Sequence, residues 1–449
     1  MAKKGKIKGK SNYTTVILIS FLLVILVGAG LLCLPFAAAS GTPTDFTTAL
    51  FTATSATCVT GLVVTDTAAH WSIFGKIVII ALVQIGGLGI MTIISLIAII
   101  FAKNSSLRSR TLAMQAAGAV SYQDVKNILK TIFIGTGSFE FVGACVLSIR
   151  FIPRYGFLKG VAFSLFHSVS AFCNAGFDIF GTENGSSLTQ FSSDPLVLIT
   201  IAVLIIVGGI GFIVWSDIKK HGLHLKRYSF HSKIALTTTL LLITLGSAAL
   251  LFTEYDASFG KMDLGVKIMN AFFQSVTLRT AGFSAVDQAT LSPSGTVISY
   301  FLMFIGGTTG STAGGIKTTT FAVLVLTLVA IVRRRNEIVV FKRKISDKSI
   351  INACSIAFVY IAAVLASIVA VCAAENGATV SDVTFETISA IATVGLSKGI
   401  TPHLSVLSRY VLIVLMFVGR IGGLSFMLAF SNAKTTKTTE RPTETVLIG

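Results

Sequence analysis

Hydrophobic and polar positions alternate along this chain in long blocks. An apolar run of about 20 residues, a shorter mixed segment and a second apolar run recur four times. The first unit holds runs at 15–35 and 74–101 with a mixed segment at 46–60; the second has 131–151, 160–175 and 195–215. The third has 233–253, 266–281 and a long run at 297–332, and the fourth has 350–373, 384–394 and 409–430. Each outer run is long enough as a helix to cross a hydrocarbon core of roughly 30 Å. The mixed segments, rich in Phe, Ser, Thr and Ala, are too short and too polar to span, so each is expected to dip in as a re-entrant half-helix. The pattern predicts an all-α polytopic membrane protein of eight spanning helices. Its four helix–re-entrant loop–helix repeats would surround a pseudo-four-fold pore.

Each mixed segment ends at a glycine. The triplets Thr60-Gly61-Leu62, Ala175-Gly176-Phe177, Ala281-Gly282-Phe283 and Val394-Gly395-Leu396 place their glycines 115, 106 and 113 residues apart. A second likeness follows in the returning runs: Ile85-Gly86-Gly87-Leu88-Gly89, Val207-Gly208-Gly209-Ile210-Gly211, Ile305-Gly306-Gly307-Thr308 and Ile421-Gly422-Gly423-Leu424. Their first glycines fall 25, 32, 24 and 27 residues after the loop glycines. Small residues let membrane helices approach closely, so a packing role explains each pair alone. Their matched positions support the repeat.

Composition agrees with lipid as the solvent. The chain has 449 residues, 53% of them hydrophobic and 12% charged, with a mean hydropathy of +0.83. Soluble domains carry roughly a quarter charged residues. The first apolar run resembles a signal peptide but lacks a small-x-small cleavage site, and reads as a retained helix.

The net charge of +17 is unevenly spread: residues 1–14, 102–130, 217–233, 332–350 and 431–449 hold 25 of the 36 Lys and Arg but only 6 of the 19 acids. Such bias places these segments, and both termini, in the cytoplasm. Anionic lipid accounts for the basic residues without nucleic acid. The expected organisation is a basic N-terminus 1–14, repeat one 15–102, a linker 103–130, repeat two 131–216 and a linker 217–232. Repeat three spans 233–332, a basic linker 333–349, repeat four 350–430 and the tail 431–449.

The outer stretches hold Asp45, Asp178, Glu183, Asp194, Glu254, Asp256, Asp287, Glu375 and Asp382. These acids either raise the cation concentration at an outer mouth or are solvated loop residues. The six cysteines, Cys33, Cys58, Cys145, Cys173, Cys354 and Cys372, show no metal-binding or disulfide spacing and read as packing residues. The histidines His70, His167, His221, His224, His231 and His403 form no ligand cluster, and no catalytic motif of a hydrolase or metalloprotease occurs.

Irregular backbone at membrane depth is tolerated only when buried in protein or lining a watery cavity. Four such loops on one axis would point carbonyl rings at a cation in place of its hydration shell. The half-helices would aim their partly negative C-terminal ends at it. Thr393-Val394-Gly395 matches the start of the potassium-channel T-V-G-Y-G filter, and the other three loops are degenerate versions.

On these residues, nearly the whole chain resembles the Trk/Ktr/HKT superfamily of cation transporters, most of all the KtrB/KtrD-type membrane subunit of a bacterial Ktr potassium-uptake system. The resemblance implies channel-like, sodium-dependent potassium uptake across the plasma membrane, with K⁺ as substrate and Na⁺ as activator or coupling ion. It makes Gly61, Gly176, Gly282 and Gly395 the filter glycines. Val59, Thr60, Asn174, Ala175, Thr280, Ala281, Thr393 and Val394 then supply the neighbouring carbonyls. Serine in the first loop accompanies sodium passage in that superfamily, so Gly61 implies potassium preference. The departures from T-V-G imply fewer well-formed sites and looser selectivity.

One run of small residues interrupts the third repeat: Gly306, Gly307, Thr308, Thr309, Gly310, Ser311, Thr312, Ala313, Gly314, Gly315, Ile316 and Lys317. It cannot sustain a regular helix. A phosphate-binding loop is excluded, because Ile316 separates Gly315 from Lys317 and the flanks are apolar. The resemblance makes 306–317 the intramembrane gating loop. Lys317 either anchors its closed state or snorkels to the membrane surface.

An arginine inside a membrane costs on the order of several kcal/mol and should face a cavity or partner. The resemblance makes Arg420 an electrostatic barrier under the filter; an ion pair with Glu140 is the other reading. Arg279 is expected to brace its half-helix.

The resemblance further implies a homodimer on a cytosolic ring of nucleotide-binding RCK/KTN-type regulatory subunits. The basic loops would be the docking surface, and the tail 441–449 would cross to the neighbouring protomer. No stretch outside the apolar runs exceeds about 30 residues, so a regulatory domain is expected on a separate protein. A sodium-coupled secondary carrier for another monovalent cation is the alternative, although carriers usually show inverted two-fold repeats.

Overall fold

The computed structural model describes residues 13–89, 122–181, 187–222, 224–335, 337–375 and 377–422. The basic stretches 3–10 and 103–110, the end of the 74–101 run, Glu183, Gly423 and the tail 441–449 lie outside these residues. The first unit contains α1 (Tyr13–Leu32), α2 (Phe46–Thr57) and α3 (Ile73–Leu88). The second contains α4 (Tyr122–Tyr155), α5 (Phe157–Phe172), α6 (Pro195–Ile210) and α7 (Phe212–His221). The third contains α8 (Phe230–Glu254), α9 (Leu264–Thr277), α10 (Pro293–Phe304) and α11 (Thr318–Val332). The fourth contains α12 (Asp347–Ala374), α13 (Val380–Ala392) and α14 (Val406–Ile421). Among the described residues the named strands are β1 (Val339–Val340) and β2 (Arg343–Lys344), two residues each and paired antiparallel.

Among the described residues, four unbroken helices are long and apolar enough to cross a membrane, and they open the four units: 15–32, 129–155, 230–254 and 347–374. Their outward faces leave Leu23, Phe141, Phe252 and Phe358 exposed, as a lipid-facing surface requires. Three of the shorter returning helices end at a glycine. Gly89, Gly211 and Gly422 follow α3, α6 and α14 with φ of +83°, +95° and +90°, a region that side chains rarely enter. At Gly211 the chain turns by 93° into α7.

These breaks correct one sequence alignment. A Cβ on Gly86, Gly208 or Gly419 would overlap the carbonyl oxygen of Thr57, Phe172 or Ile391, respectively. Each of those carbonyls lies four residues before a loop glycine. The counterpart of Gly86-Gly87 and Gly208-Gly209 in the fourth unit is therefore Gly419-Arg420, three residues before the Gly422-Gly423 pair. Arg420 stands where the other units have a second glycine.

Several of the acids expected in the outer stretches hold the fold together. Asp45 accepts hydrogen bonds from the N–H groups of Thr47 and Thr48 (3.0 and 3.3 Å) and caps α2. Asp194 caps α6 just ahead of Pro195. Buried Glu254 accepts from the Ser292 backbone and hydroxyl and from the Ser258 hydroxyl, tying α8 to α10. Glu375, in the loop after α12, accepts from the Ser405 N–H at 2.8 Å. Burial raises its carboxyl, but hydrogen bonds from Ser408 and Ser405 and the charge of Arg409 outweigh this and hold it below its ordinary range.

Among the described residues, two large apolar clusters fill the interior, beside a small one of Phe259, Ala271 and Val286. One gathers Trp71, Phe151, Phe172 and Phe177 between the first and second units. The other gathers Phe51, Tyr360, Phe385 and Met416 between the fourth and first. The four glycine loops lie where these clusters meet.

Candidate functional site: a ring of four loops

The short helices α2, α5, α9 and α13 each deliver a triplet at their C-terminal end: Val59-Thr60-Gly61, Asn174-Ala175-Gly176, Thr280-Ala281-Gly282 and Thr393-Val394-Gly395. The first residue of every triplet is left-handed, with φ of +57°, +58°, +67° and +52°. The glycine is left-handed too, with φ of +95°, +66°, +80° and +92°, whereas the residue between them is not. Asn tolerates this region, but Val and Thr are strained there by about 1–3 kcal/mol each. That all four loops share this φ pattern shows one conformation adopted four times.

The glycines close a cycle. A Cβ added to Gly61 would overlap the Ala175 carbonyl, and one on Gly176 would overlap the Ala281 carbonyl. One on Gly282 would overlap the Val394 carbonyl, and one on Gly395 would overlap the Thr60 carbonyl. The loops thus follow the order one, two, three, four and back to one, each backbone touching the next. No side chain fits at any of the four places.

Hydroxyl groups set the loops in two ways. Ser55 Oγ accepts from the Gly61 N–H at 3.0 Å, and Ser389 Oγ accepts from the Gly395 N–H at 3.1 Å. In the second and third loops, Ser170 and Thr277 instead donate to the carbonyls of Phe177 and Phe283, at 2.8 and 2.7 Å. Sequence reasoning missed these four residues. A hydroxyl five or six positions before each loop glycine was the available signal. The hydroxyls of Thr60, Thr280 and Thr393 are buried without a hydrogen-bond partner among the described residues. Arg279 is buried beside the third triplet, with Nε and Nη1 likewise unpartnered.

The small-residue run docks directly against the ring. Ile305 and Ile316 pair as a parallel bridge, and the Gly306 N–H donates to the Ile316 carbonyl at 2.8 Å. Thr308 and Thr312 donate their N–H groups to the carbonyls of Gly209 and Gly208 (3.0 and 3.3 Å), while Phe212 donates to Gly310 at 2.8 Å. The run therefore fills the break between α6 and α7. Its other side meets the triplets: Gly314 packs on Thr393, Gly315 on Ala392 and Gly306 on the Thr280 methyl. Lys317 Nζ donates to the Ala313 carbonyl at 2.5 Å, so it fastens the run to itself instead of snorkelling.

Arg420 reaches across this assembly. Its guanidinium donates to the carbonyls of Thr312, Gly86 and Gly87, linking the fourth unit to the run and to the first unit. It does not pair with Glu140, which accepts from Gln84 Nε2 at 3.3 Å. Buried His167 is held by the Phe163 carbonyl at 2.7 Å and stacks on Phe180. Among the described residues no group of three or more His, Cys, Asp or Glu could hold a metal, and the six cysteines are free.

A helical membrane scaffold with four backbone loops converging on one ring is the layout of a cation-transporting protein. Residues 2–439 match the family profile of the TrkH cation transport proteins, and the chain belongs to that family. It is similar to the potassium/sodium uptake protein NtpJ of Enterococcus hirae, at 37% identity over 99% of both chains. It is also 40% identical to the Ktr system potassium uptake protein B of Bacillus subtilis, covering 93% of each. The crystal structure of the potassium transporter TrkH from Vibrio parahaemolyticus shares the fold with a TM-score of 0.74. That likeness covers 96% of this chain and 87% of that one at 18% identity.

Proposed function

We propose that this chain carries potassium into the cell through the ring of four loops. The observation that supports it most is the cyclic contact of Gly61, Gly176, Gly282 and Gly395, each against the preceding carbonyl of the next loop. Positive φ at the first residue and at the glycine, but not at the residue between them, gives each triplet the same turn, so in this reading each offers Val59/Thr60, Asn174/Ala175, Thr280/Ala281 or Thr393/Val394 oxygens to the axis. Such rings replace the hydration shell of a permeating cation. The partly negative ends of α2, α5, α9 and α13 favour a cation there over an anion. These four helices are then re-entrant, and the eight longer segments span the membrane with both termini in the cytoplasm.

In this reading residues 306–315 and Lys317 form the gate. The run is bound to the α6–α7 break on one side and pressed against two triplets on the other, so it obstructs the path until it moves. Arg420 supplies positive charge beneath the ring and holds the Thr312 carbonyl of the gate. Opening is assigned to a separate cytosolic nucleotide-binding subunit, acting on a homodimer through the basic loops, with sodium as activator or coupling ion. Relatives in which uptake protein B belongs to a Ktr system support this division of labour.

The test is growth of a potassium-uptake-deficient bacterium expressing this chain, with and without a co-expressed regulatory subunit. Rescue at low potassium is expected. Gly61→Ser places a side chain against the Ala175 carbonyl, and should lower potassium-over-sodium preference by roughly tenfold or more. Unchanged preference in uptake assays would overturn the filter assignment.

A further inference from the structure

A cavity of about 890 Å³ opens between α3 and α5, away from the ring. Its walls are apolar, with Ile77 and Ala81 from α3 facing Ala162, Leu165 and Phe166 from α5. Ile73 and Leu158 at its rim are 80% and 83% exposed. Two cations line the same end: Lys76 and Lys159 fall in the first turns of α3 and α5. The helices run side by side in one direction, because Gly87 near the end of α3 packs on Cys173 at the end of α5. From Lys76 to Gly87 is eleven residues, or about 16 Å of helix, close to half a hydrocarbon core. The groove thus has the depth of one leaflet, charge at the surface and hydrocarbon below.

We propose that this groove binds a phospholipid with an anionic headgroup. One acyl chain fills the apolar cleft, and the phosphate accepts hydrogen bonds from Lys76 and Lys159. Lys76 Nζ is oriented by a bond to the Ala68 carbonyl at 2.7 Å, which uses one of its three donors. The chemistry selects an anionic lipid over a neutral one, because two cations at a groove mouth in the membrane interface attract negative charge.

The groove also touches the second loop from behind. Ile179 and Phe180, which leave that loop, line the cavity together with Gln84. Gln84 in turn accepts from Cys173 Sγ at 3.4 Å, one residue before Asn174. A lipid in the groove therefore braces the backbone that carries Asn174, Ala175 and Gly176. This last consequence rests on the proposed transport function, whereas the binding site itself does not.

The experiment places Leu165→Trp as a reporter in the groove, in vesicles of phosphatidylcholine. A minor fraction of lipid brominated on its acyl chains is added, either phosphatidylglycerol or phosphatidylcholine. Brominated phosphatidylglycerol should quench the added fluorescence more strongly at equal mole fraction. Lys76→Gln and Lys159→Gln should each reduce that preference by roughly fivefold. If Leu165→Trp does not fold, Ile77→Trp on the facing wall replaces it.

Equal quenching by the two lipids overturns the proposal, as does a preference that survives both lysine substitutions. A reporter shielded from every lipid overturns it too, since another segment or a second copy of the chain then covers the groove. Rubidium flux from the same vesicles separates the two readings. Headgroup-dependent quenching without flux, even with the regulatory subunit supplied to the vesicles, upholds the lipid site while overturning the transport function.

Discussion

Ser55 and Ser389 decide how two of the four triplets are held, because each hydroxyl accepts the N–H of a loop glycine. Replacing Ser389 by Ala leaves the Gly395 N–H buried and unpaired, at a cost of about 1–3 kcal/mol. The expected result is a lower melting temperature together with a weakened preference for potassium over sodium. A variant that melts lower but keeps its preference would show that the hydroxyl stabilises the fold without setting the filter. At this scale the sequence was legible where the backbone required glycine. Gly61, Gly176, Gly282 and Gly395 stood out because no other residue fits their close approach and positive φ. The hydroxyls were hidden. Ser and Thr in apolar helices commonly bond to a carbonyl one turn back, as Thr52, Ser164 and Thr387 do here, so the four that serve the loops look like the rest. Left-handed Val59, Thr280 and Thr393 were equally invisible, since local preference opposes them and only the assembled ring enforces them.

The elements behave as two kinds of helix, uninterrupted ones that open each unit and shorter ones that return, three of them stopped at a glycine. The stops create the space in which 306–317 docks, and Arg420 keeps it there. Arg420→Ala removes the bonds to the carbonyls of Thr312, Gly86 and Gly87. We expect rubidium leak into vesicles, without any regulatory subunit, to rise severalfold. Leak equal to that of the unaltered protein would dismiss the arginine as a latch. The interruption itself was readable from the density of Gly, Ser and Thr. The register of the fourth unit was not, because Gly422-Gly423 imitates the glycine pair of the other three. Its true counterpart has an arginine in the second place. Only contact with the Ile391 carbonyl, a property of the folded chain, restores the match. The loop acids were also illegible as a group: Asp45 and Asp194 cap helices and Glu254 ties two together, which a loop composition does not reveal.

Across the whole molecule, the ring makes the four units dependent on one another. Gly61 and Gly395 meet at a single seam, whereas Gly282 is not among the nearest neighbours of Gly61. Gly61→Ala and Gly395→Ala should therefore couple by about 0.5–3 kcal/mol in a double-mutant cycle on thermal stability. Gly61→Ala and Gly282→Ala should come closer to additivity. Equal coupling in both pairs would contradict the cyclic order. Four-fold repetition was evident from spacing alone. The order in which the loops touch was not, because spacing carries no information about neighbours.

The seam between Gly395 and Thr60 bears on how a cell can make such a molecule safely. The first loop emerges early in synthesis and its last neighbour emerges near the end, so the carbonyl ring stays open until the fourth hairpin enters the membrane. A nascent chain halted at residue 350 should be electrically silent, and vesicles bearing it should hold a potassium gradient as well as empty ones. In the proposed transport reading, biogenesis then needs no separate plug before the fourth hairpin, since no closed ring exists until that hairpin is in place.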